Sequence, residues 1–464
     1  MNGSHSNITP SPYTPRFASR TVVALTLAAA VGIPILLLGL ILFATPLLKP
    51  EVVDVFVRET LGKDPATWWG RDLVLVGAML LLAFVFINFG AIFSGVISWY
   101  ERRVAGRIQS RIGPNRAGFA GFFVWIADAV KLLLKEDLVP NDADRLLFRA
   151  APYFVLCGFA LTFVVLPFGE GIVVADMNVG IVYITSITAL VVVGILVSGW
   201  SSNSKWALFG GMRSAAQVVS YEIPAGVAIF VPVLMAGSLS LQDIVRAQGG
   251  LPWEWFIFRN PAALICFFIL FISQLAEANR TPFDLPEAES ELVAGYLSEY
   301  SGFRFALFFL AEWGNIWVIS SISAVLFLGG WQIPFVGPEV YADVRGASVV
   351  PPLAWFGLQA ASMAVLVVKV VFLSNVVVWL RWTLPRIRVD QMMTLAWKYL
   401  VPVAFACFVF TLGWQLAVGS VPALELWTGV ALTIAALAVL VMFARRVIAN
   451  IRAVQGDRLD LSNW

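Results

Sequence analysis

The chain is expected to be an all-α polytopic membrane protein of about ten transmembrane helices. One further amphipathic helix is expected in its first large cytoplasmic loop. Three observations predict this. Hydrophobic residues make up 59% of the 464 positions and charged residues only 13%, against about 25% charged in soluble domains. The apolar residues fall into runs of the length that crosses a bilayer, about 20 residues of helix. These runs are too long, and alternate too little, for the strands of a membrane barrel.

In order, the expected spans are 21–47, 73–98, 150–168, 179–199, 218–238, 260–279, 305–330, 353–380, 399–418 and 425–444. The first run resembles a secretory leader, but it is long for one and lacks a small-residue cleavage site, so it is read as a spanning helix. With both termini in the cytoplasm, 23 of the 31 Lys and Arg residues fall on the cytoplasmic side, with Lys369 inside a span. That is the direction of the positive-inside bias. Loop 99–149 is the longest connection. Within it Phe119, Phe122, Phe123, Ile126, Val130, Leu133 and Leu134 recur at helical spacing, with Asp128, Lys131 and Lys135 on another face. This pattern predicts a helix lying along the membrane surface. No internal repeat and no long soluble domain is seen.

Composition also limits the chemistry. The single histidine is His5, in a polar tail, and Cys157, Cys266 and Cys407 each sit alone in apolar runs. Haem ligation by histidine, a His-rich metal site and a histidine proton relay are therefore not expected in the membrane part. The cysteines read as structural thiols, and no metal or redox centre is expected on this chain.

The acids carry the strongest signal. Segment 276–296, AEANRTPFDLPEAESELVAGY, directly follows an apolar run and holds Glu277, Asp284, Glu287, Glu289 and Glu291, with Glu299 just beyond. Ionised carboxylates at such a depth are costly unless water, cations or protons accompany them. Asp284-Leu-Pro-Glu287 has the form of a helix start with Asp284 as N-cap, which by itself would account for Asp284. Glu287 and Glu291 share a helical face at i, i+4, where two like charges destabilise a helix and raise one another's pKa. Glu222 stands at the cytoplasmic end of the fifth span, as a snorkelling edge charge would. Glu312 lies inside the seventh span. Lys369 is near the middle of the eighth, too deep to snorkel easily, so an acid partner is expected, with Glu312 and Glu222 as candidates. Arg280 and Arg304 flank the acidic segment. Trp99, Trp200, Trp331 and Trp379 lie at span ends, as interface anchors do.

The segment ERRVAGRIQSRIGPNRAGFAG, residues 101–121, places five arginines in 15 residues, four before a Gly-Pro-Asn turn and one just after it. It reads as a positive-inside loop, a docking surface or a cationic lip. Together with DAVKLLLKED (128–137), SKWALFGGMRSAAQVVSYE (204–222), the 276–302 block, LAEW (310–313) and RWTLPRIRVDQMM (381–393), it resembles the H subunit of bacterial NADH:quinone oxidoreductase, respiratory complex I. The resemblance covers roughly residues 73–418, with six blocks agreeing in order and wording.

It implies a core of eight transmembrane helices at 73–418. Residues 1–72 would hold a tail, an extra helix and a periplasmic loop; residues 419–464 would hold an extra helix and a cytoplasmic tail. It also implies a multi-pass component of the bacterial cytoplasmic membrane, with no bound cofactor of its own. Partner subunits would carry NADH, flavin and the iron–sulfur clusters, and quinone would be the substrate of the complex. Membrane-arm subunits and the peripheral-arm subunits around the quinone cavity are the expected partners, together with lipid and no nucleic acid. Arg102, Arg107, Asp128, Arg280, Phe283 and Asp284 would line the quinone tunnel. Glu222, Asp284, Glu287, Glu289, Glu291, Glu299, Glu312 and Lys369 would form the proton axis. Three other readings fit the residues: the equivalent membrane component of a nickel–iron hydrogenase or other electron-input complex, a self-contained ion transporter, and a structural anchor whose acids are caps and surface charges.

Overall fold

The computed structural model describes residues 32–44, 50–60, 70–286, 289–337, 340–341, 343, 353–420 and 423–456. Among them the chain is helical throughout, apart from turns, connections and one isolated bridge at Gly169 and Ile172. Seven of the described helices are long and apolar enough to cross a membrane, and Pro261–Glu277 and Leu426–Val439 are shorter apolar helices. The all-α polytopic expectation holds.

In chain order the helices are α1 (Ile33–Ala44), α2 (Pro50–Thr60), α3 (Gly70–Ile108), α4 (Val124–Leu134), α5 (Arg145–Thr162), α6 (Gly180–Ser201), α7 (Lys205–Ala236), α8 (Leu241–Ala247), α9 (Pro261–Glu277), α10 (Gly302–Phe327) and α11 (Leu353–Thr383). A short helix, Val389–Thr394, then runs through a π-helical turn, Leu395–Leu400, into α12 (Val401–Ser420), and α13 (Ala423–Gly456) follows.

Helix ends follow local chemistry. Asp144 accepts hydrogen bonds from the Leu146 and Leu147 amides at the start of α5. Asn260 caps α9, with Pro261 in the first turn where its missing N–H costs nothing. Gly237 closes α7 in the left-handed conformation that favours glycine.

Several helices outrun the apolar segments that announced them. α3 continues from the apolar run through Glu101-Arg102-Arg103 to Ile108, and α7 starts at Lys205, well before the run at 218. Hydropathy stops at the first charges, whereas the backbone stays helical until something breaks it. The breaks here are Ser110, at positive φ, and the Gly113-Pro114 turn. The surface helix is shorter than the pattern suggested: a 3₁₀ turn, Phe119–Gly121, precedes α4. Phe122 is buried, but Ile126, Val130, Leu133 and Leu134 are exposed on this chain.

α10 is the axle of the bundle. It packs against α3, α4, α5, α9 and α11, and from Ile316 to Phe327 every side chain is buried. α5, α6, α7 and α9 form the adjoining layer, and α12 lies against α7. α1 rests on α3 and α11, while α13 leans on the 252–259 segment.

Helices in lipid gain little from hiding apolar surface, so close packing of small residues matters more. Gly210 of α7 touches the backbone of Gly295, and a Cβ there would come within 2.6 Å of the Gly295 Cα. Gly295 is itself at φ 54° and is pressed against the Pro286 carbonyl. Gly210→Val therefore overpacks this contact. It should destabilise the assembled protein by about 1–3 kcal/mol, read as a lowered thermal midpoint against wild type.

Candidate functional site

The connection that follows α9 is held by one amide. Gln217, fully buried on α7, donates through Nε2 to the carbonyls of Ala276 (2.8 Å) and Phe283 (2.8 Å) and to Asn279 Oδ1 (3.2 Å). The turn contains a cis Thr281–Pro282 bond, and the Pro282 carbonyl accepts from the Ile387 amide at 3.1 Å. Phe283 is buried and meets Tyr221 edge-on at 5.2 Å. This fixed turn presents Arg280 and Asp284 to the bundle.

Three buried or half-buried ion pairs gather there. Arg280, 1% exposed, pairs with Glu312 of α10 at 3.0 Å. Glu101 of α3, 3% exposed, pairs with Arg381 of α11 at 2.6 Å. Asp284 lies 3.6 Å from Arg386. The guanidinium groups of Arg280 and Arg381 both contact the indole of Trp313, at 4.2 Å and 5.5 Å from its centroid. The Asp284 carboxyl is held above the usual aspartate range, first by burial and then by the Glu312 charge, against the pull of Arg386, Arg381 and Arg280. Glu101, Arg381 and Arg386 were not singled out from the sequence. They lie about 100–180 residues from the acidic segment, in blocks whose charges read equally well as loop charges.

From this cluster a line of acids leads into the bundle. A cavity of about 50 Å³ between α5, α6, α7 and α10 is lined by Glu312, Asn279 and Glu277. A second, of about 240 Å³, is lined by Glu277, Gln274 and Glu222. Glu277 and Thr188 border both. A water needs about 10–15 Å³ of such space and some polar partners, so each cavity can hold water between its acids. Pro224 lies just past Glu222 on α7. Its missing N–H frees a carbonyl one turn back, an interruption that membrane helices tolerate beside polar groups.

A third group stands apart. Asp128 on α4 pairs with Arg102 (2.6 Å) and Lys131 (3.0 Å). Partial burial pushes its carboxyl up, but the Lys131 and Arg102 bonds outweigh this and hold it below the usual range. Arg107, at the end of α3, is exposed.

The remaining expectations fare differently. Glu291 is half-exposed and paired with Arg213 of α7 at 2.7 Å. It sits in a single helical turn, Glu289–Leu292. Glu287 lies outside the described residues, so the Glu287–Glu291 pairing and the capping role of Asp284 toward residue 287 rest there too. Glu299 is half-buried in the turn before α10.

Lys369 corrects an expectation. Instead of Glu312 or Glu222, its ammonium donates to the carbonyls of Leu328 (2.7 Å), Gly330 (2.9 Å) and Gln332 (3.5 Å). It also lies over the Trp255 ring at 4.4 Å. The carbonyls of Leu328, at the C-terminal end of α10, and of the turn that follows it hold the cation in place of a carboxylate. Among the described residues no cluster of three or more metal-binding side chains occurs.

The fold and this arrangement define a polytopic membrane protein that buries linked acids and arginines where helices meet a fixed turn. The NADH dehydrogenase family model matches residues 79–412. The H subunit of NADH-quinone oxidoreductase from Anaeromyxobacter dehalogenans (strain 2CP-C) is 66% identical over 405 residues, covering 87% of this chain and 98% of the relative. The H subunit from Chlorobaculum tepidum (strain ATCC 49652 / DSM 12025 / NBRC 103806 / TLS) is 47% identical, covering 75% and 93%. NADH-quinone oxidoreductase subunit 8 of Rhodothermus marinus is 42% identical, covering 70% and 94%. The chain belongs to the family of NADH-quinone oxidoreductase H subunits.

Two outcomes check the site. Arg280→Met leaves Glu312 buried without its cation and should cost about 3–5 kcal/mol, whereas Arg280→Met with Glu312→Leu should recover much of that loss. Thermal unfolding of the assembled complex reads both. Infrared titration should show protonated carboxyl absorption persisting above the usual aspartate range, and Asp284→Asn should remove one component of it and leave the rest.

Proposed function

We propose that this chain is the membrane component through which a proton-translocating NADH:quinone oxidoreductase links quinone reduction to proton movement. The core at 73–418 carries this role in the bacterial cytoplasmic membrane, with both termini cytoplasmic, and the helices outside it are additions at its flanks. Partner subunits supply the NADH, flavin and iron–sulfur chemistry and the rest of the quinone cavity. Here the chain binds, orients and sets the field. Arg102, Arg107, Asp128, Arg280, Phe283 and Asp284 belong to the wall of the quinone tunnel. The acids Glu222, Glu277, Asp284, Glu287, Glu289, Glu291, Glu299 and Glu312 form the proton axis, and Lys369 fixes the end of α10 beside it.

The observation that carries the reading is the sharing of Glu277 by two cavities. One reaches Glu312, which pairs with Arg280, and the other reaches Glu222. Negative charge gained by a quinone near the arginines competes with Glu101 and Glu312 for those cations. A carboxylate whose cation is drawn away binds a proton more readily. At 4 Å and an effective dielectric of about 20, one unit charge is worth about 4 kcal/mol, or about three pK units. Glu312, paired with Arg280, is the carboxylate placed to answer that charge. The proton then has Glu277 and Glu222 as successive acceptors, with water or the Thr188 hydroxyl between them.

The test replaces Glu277 or Glu222 with Gln in the assembled complex. Proton translocation should stop or fall at least about tenfold, while NADH oxidation by an artificial acceptor on the peripheral arm continues. Normal translocation in both variants would sink the axis. Glu287→Gln and Glu291→Gln extend the test to the acidic segment, and loss of coupled activity with assembly intact is expected.

A further inference from the structure

We infer that Trp313 is a positioning residue whose indole face keeps Arg280 and Arg381 apart, so that each arginine stays with its own carboxylate. This rests on the reading of the cluster as the link between the quinone cavity and the acids.

The two guanidinium carbons lie 4.2 Å and 5.5 Å from the centroid of the same ring. Arg280 answers to Glu312 at 3.0 Å and Arg381 to Glu101 at 2.6 Å. The pairing is not the only one the charges permit. Glu101 lies within the field of Arg280 and Glu312 as well as that of Arg381, and Asp284 feels both arginines. Two guanidiniums gathered on one ring repel each other, and neither can lose its charge. An aromatic ring attracts a cation at its face through its quadrupole, and does so more strongly away from water. Trp313 is 5% exposed.

The choice of side chain points the same way. Among the aromatic side chains, tryptophan offers a cation the most attractive ring face. What the structure uses is the ring face. Phe309 packs against the indole at 5.6 Å and fixes its tilt. Trp313 also follows Glu312 directly on α10. The residue that holds the arginines is thus bonded to the acid that opens the first cavity. If the face is lost, Arg280 can move toward Glu101, and Glu312 no longer reports the charge state of the cluster.

The experiment compares the assembled complex carrying Trp313→Leu, Trp313→Phe and site-specifically incorporated tetrafluorotryptophan at position 313. The fluorinated ring keeps the shape but loses most of the negative face. In proteoliposomes, Trp313→Leu and the fluorinated chain should each lower the protons moved per electron at least about twofold. Both should displace a limb of the pH profile of quinone reduction by about half a unit or more. Trp313→Phe should stay close to wild type.

The inference is overturned if the fluorinated chain matches wild type in both readouts, or if Trp313→Phe fails as Trp313→Leu does, since then only volume matters. The fluorinated chain decides the matter even where Trp313→Leu does not assemble. Glu277→Gln runs in parallel. If it stops pumping while the fluorinated chain pumps and titrates normally, this inference alone fails. If it pumps normally, the axis fails, and the pH profile of the fluorinated chain still decides the role of Trp313.

Discussion

A guanidinium that cannot shed its charge sits almost wholly out of water at Arg280. Much of the surrounding structure is what makes that position tolerable. Glu312 neutralises it, the Trp313 face accepts it, and the turn that carries it is tied down by Gln217. Each of these comes from a different element, so satisfying one cation fixes α7, α10 and the turn after α9 relative to one another. A buried ion pair is poor evidence of stability, because removing both partners is often neutral. Its presence here fits the proposed role of these charges beside the acids.

The same constraint explains where the cavities fall. Glycines at 158, 194, 199 and 210 let neighbouring backbones and side chains approach closely among α5, α6 and α7. Where polar side chains such as Glu277, Gln274 and Thr188 meet between these helices, the packing opens instead. Polar groups that lack direct partners in such a place are served by water, which needs that room. Close packing and open space thus alternate along one bundle.

Much of this could be read from the residues in order. The all-α, multi-span character follows from hydropathy and reappears among the described residues as seven long apolar helices and two shorter ones, and Glu312 lies within one of the long helices, Gly302–Phe327. What could not be read is pairing across the chain. Glu101 and Arg381 lie 280 positions apart, and no local pattern marks them as a couple or marks Trp313 as their neighbour. Lys369 shows the converse limit. Its need for a negative partner was legible, but carbonyls at a helix end leave no trace in side-chain identity, so a carboxylate was expected in their place. Glu291 likewise found Arg213 on another helix, a choice set by how α7 extends beyond its apolar stretch.

The common wall between the two cavities has a consequence for traffic. Among the described residues only two side chains with exchangeable hydrogens, Glu277 and Thr188, border both spaces. A hydroxyl gives up its hydrogen only as it receives another, so it passes ions along without storing them. A carboxylate can accept one, wait, turn and release it on the far side. On the proposed reading of the acids as a proton path, conduction through such a wall would be serial with a resting state, a turnstile rather than an open pipe.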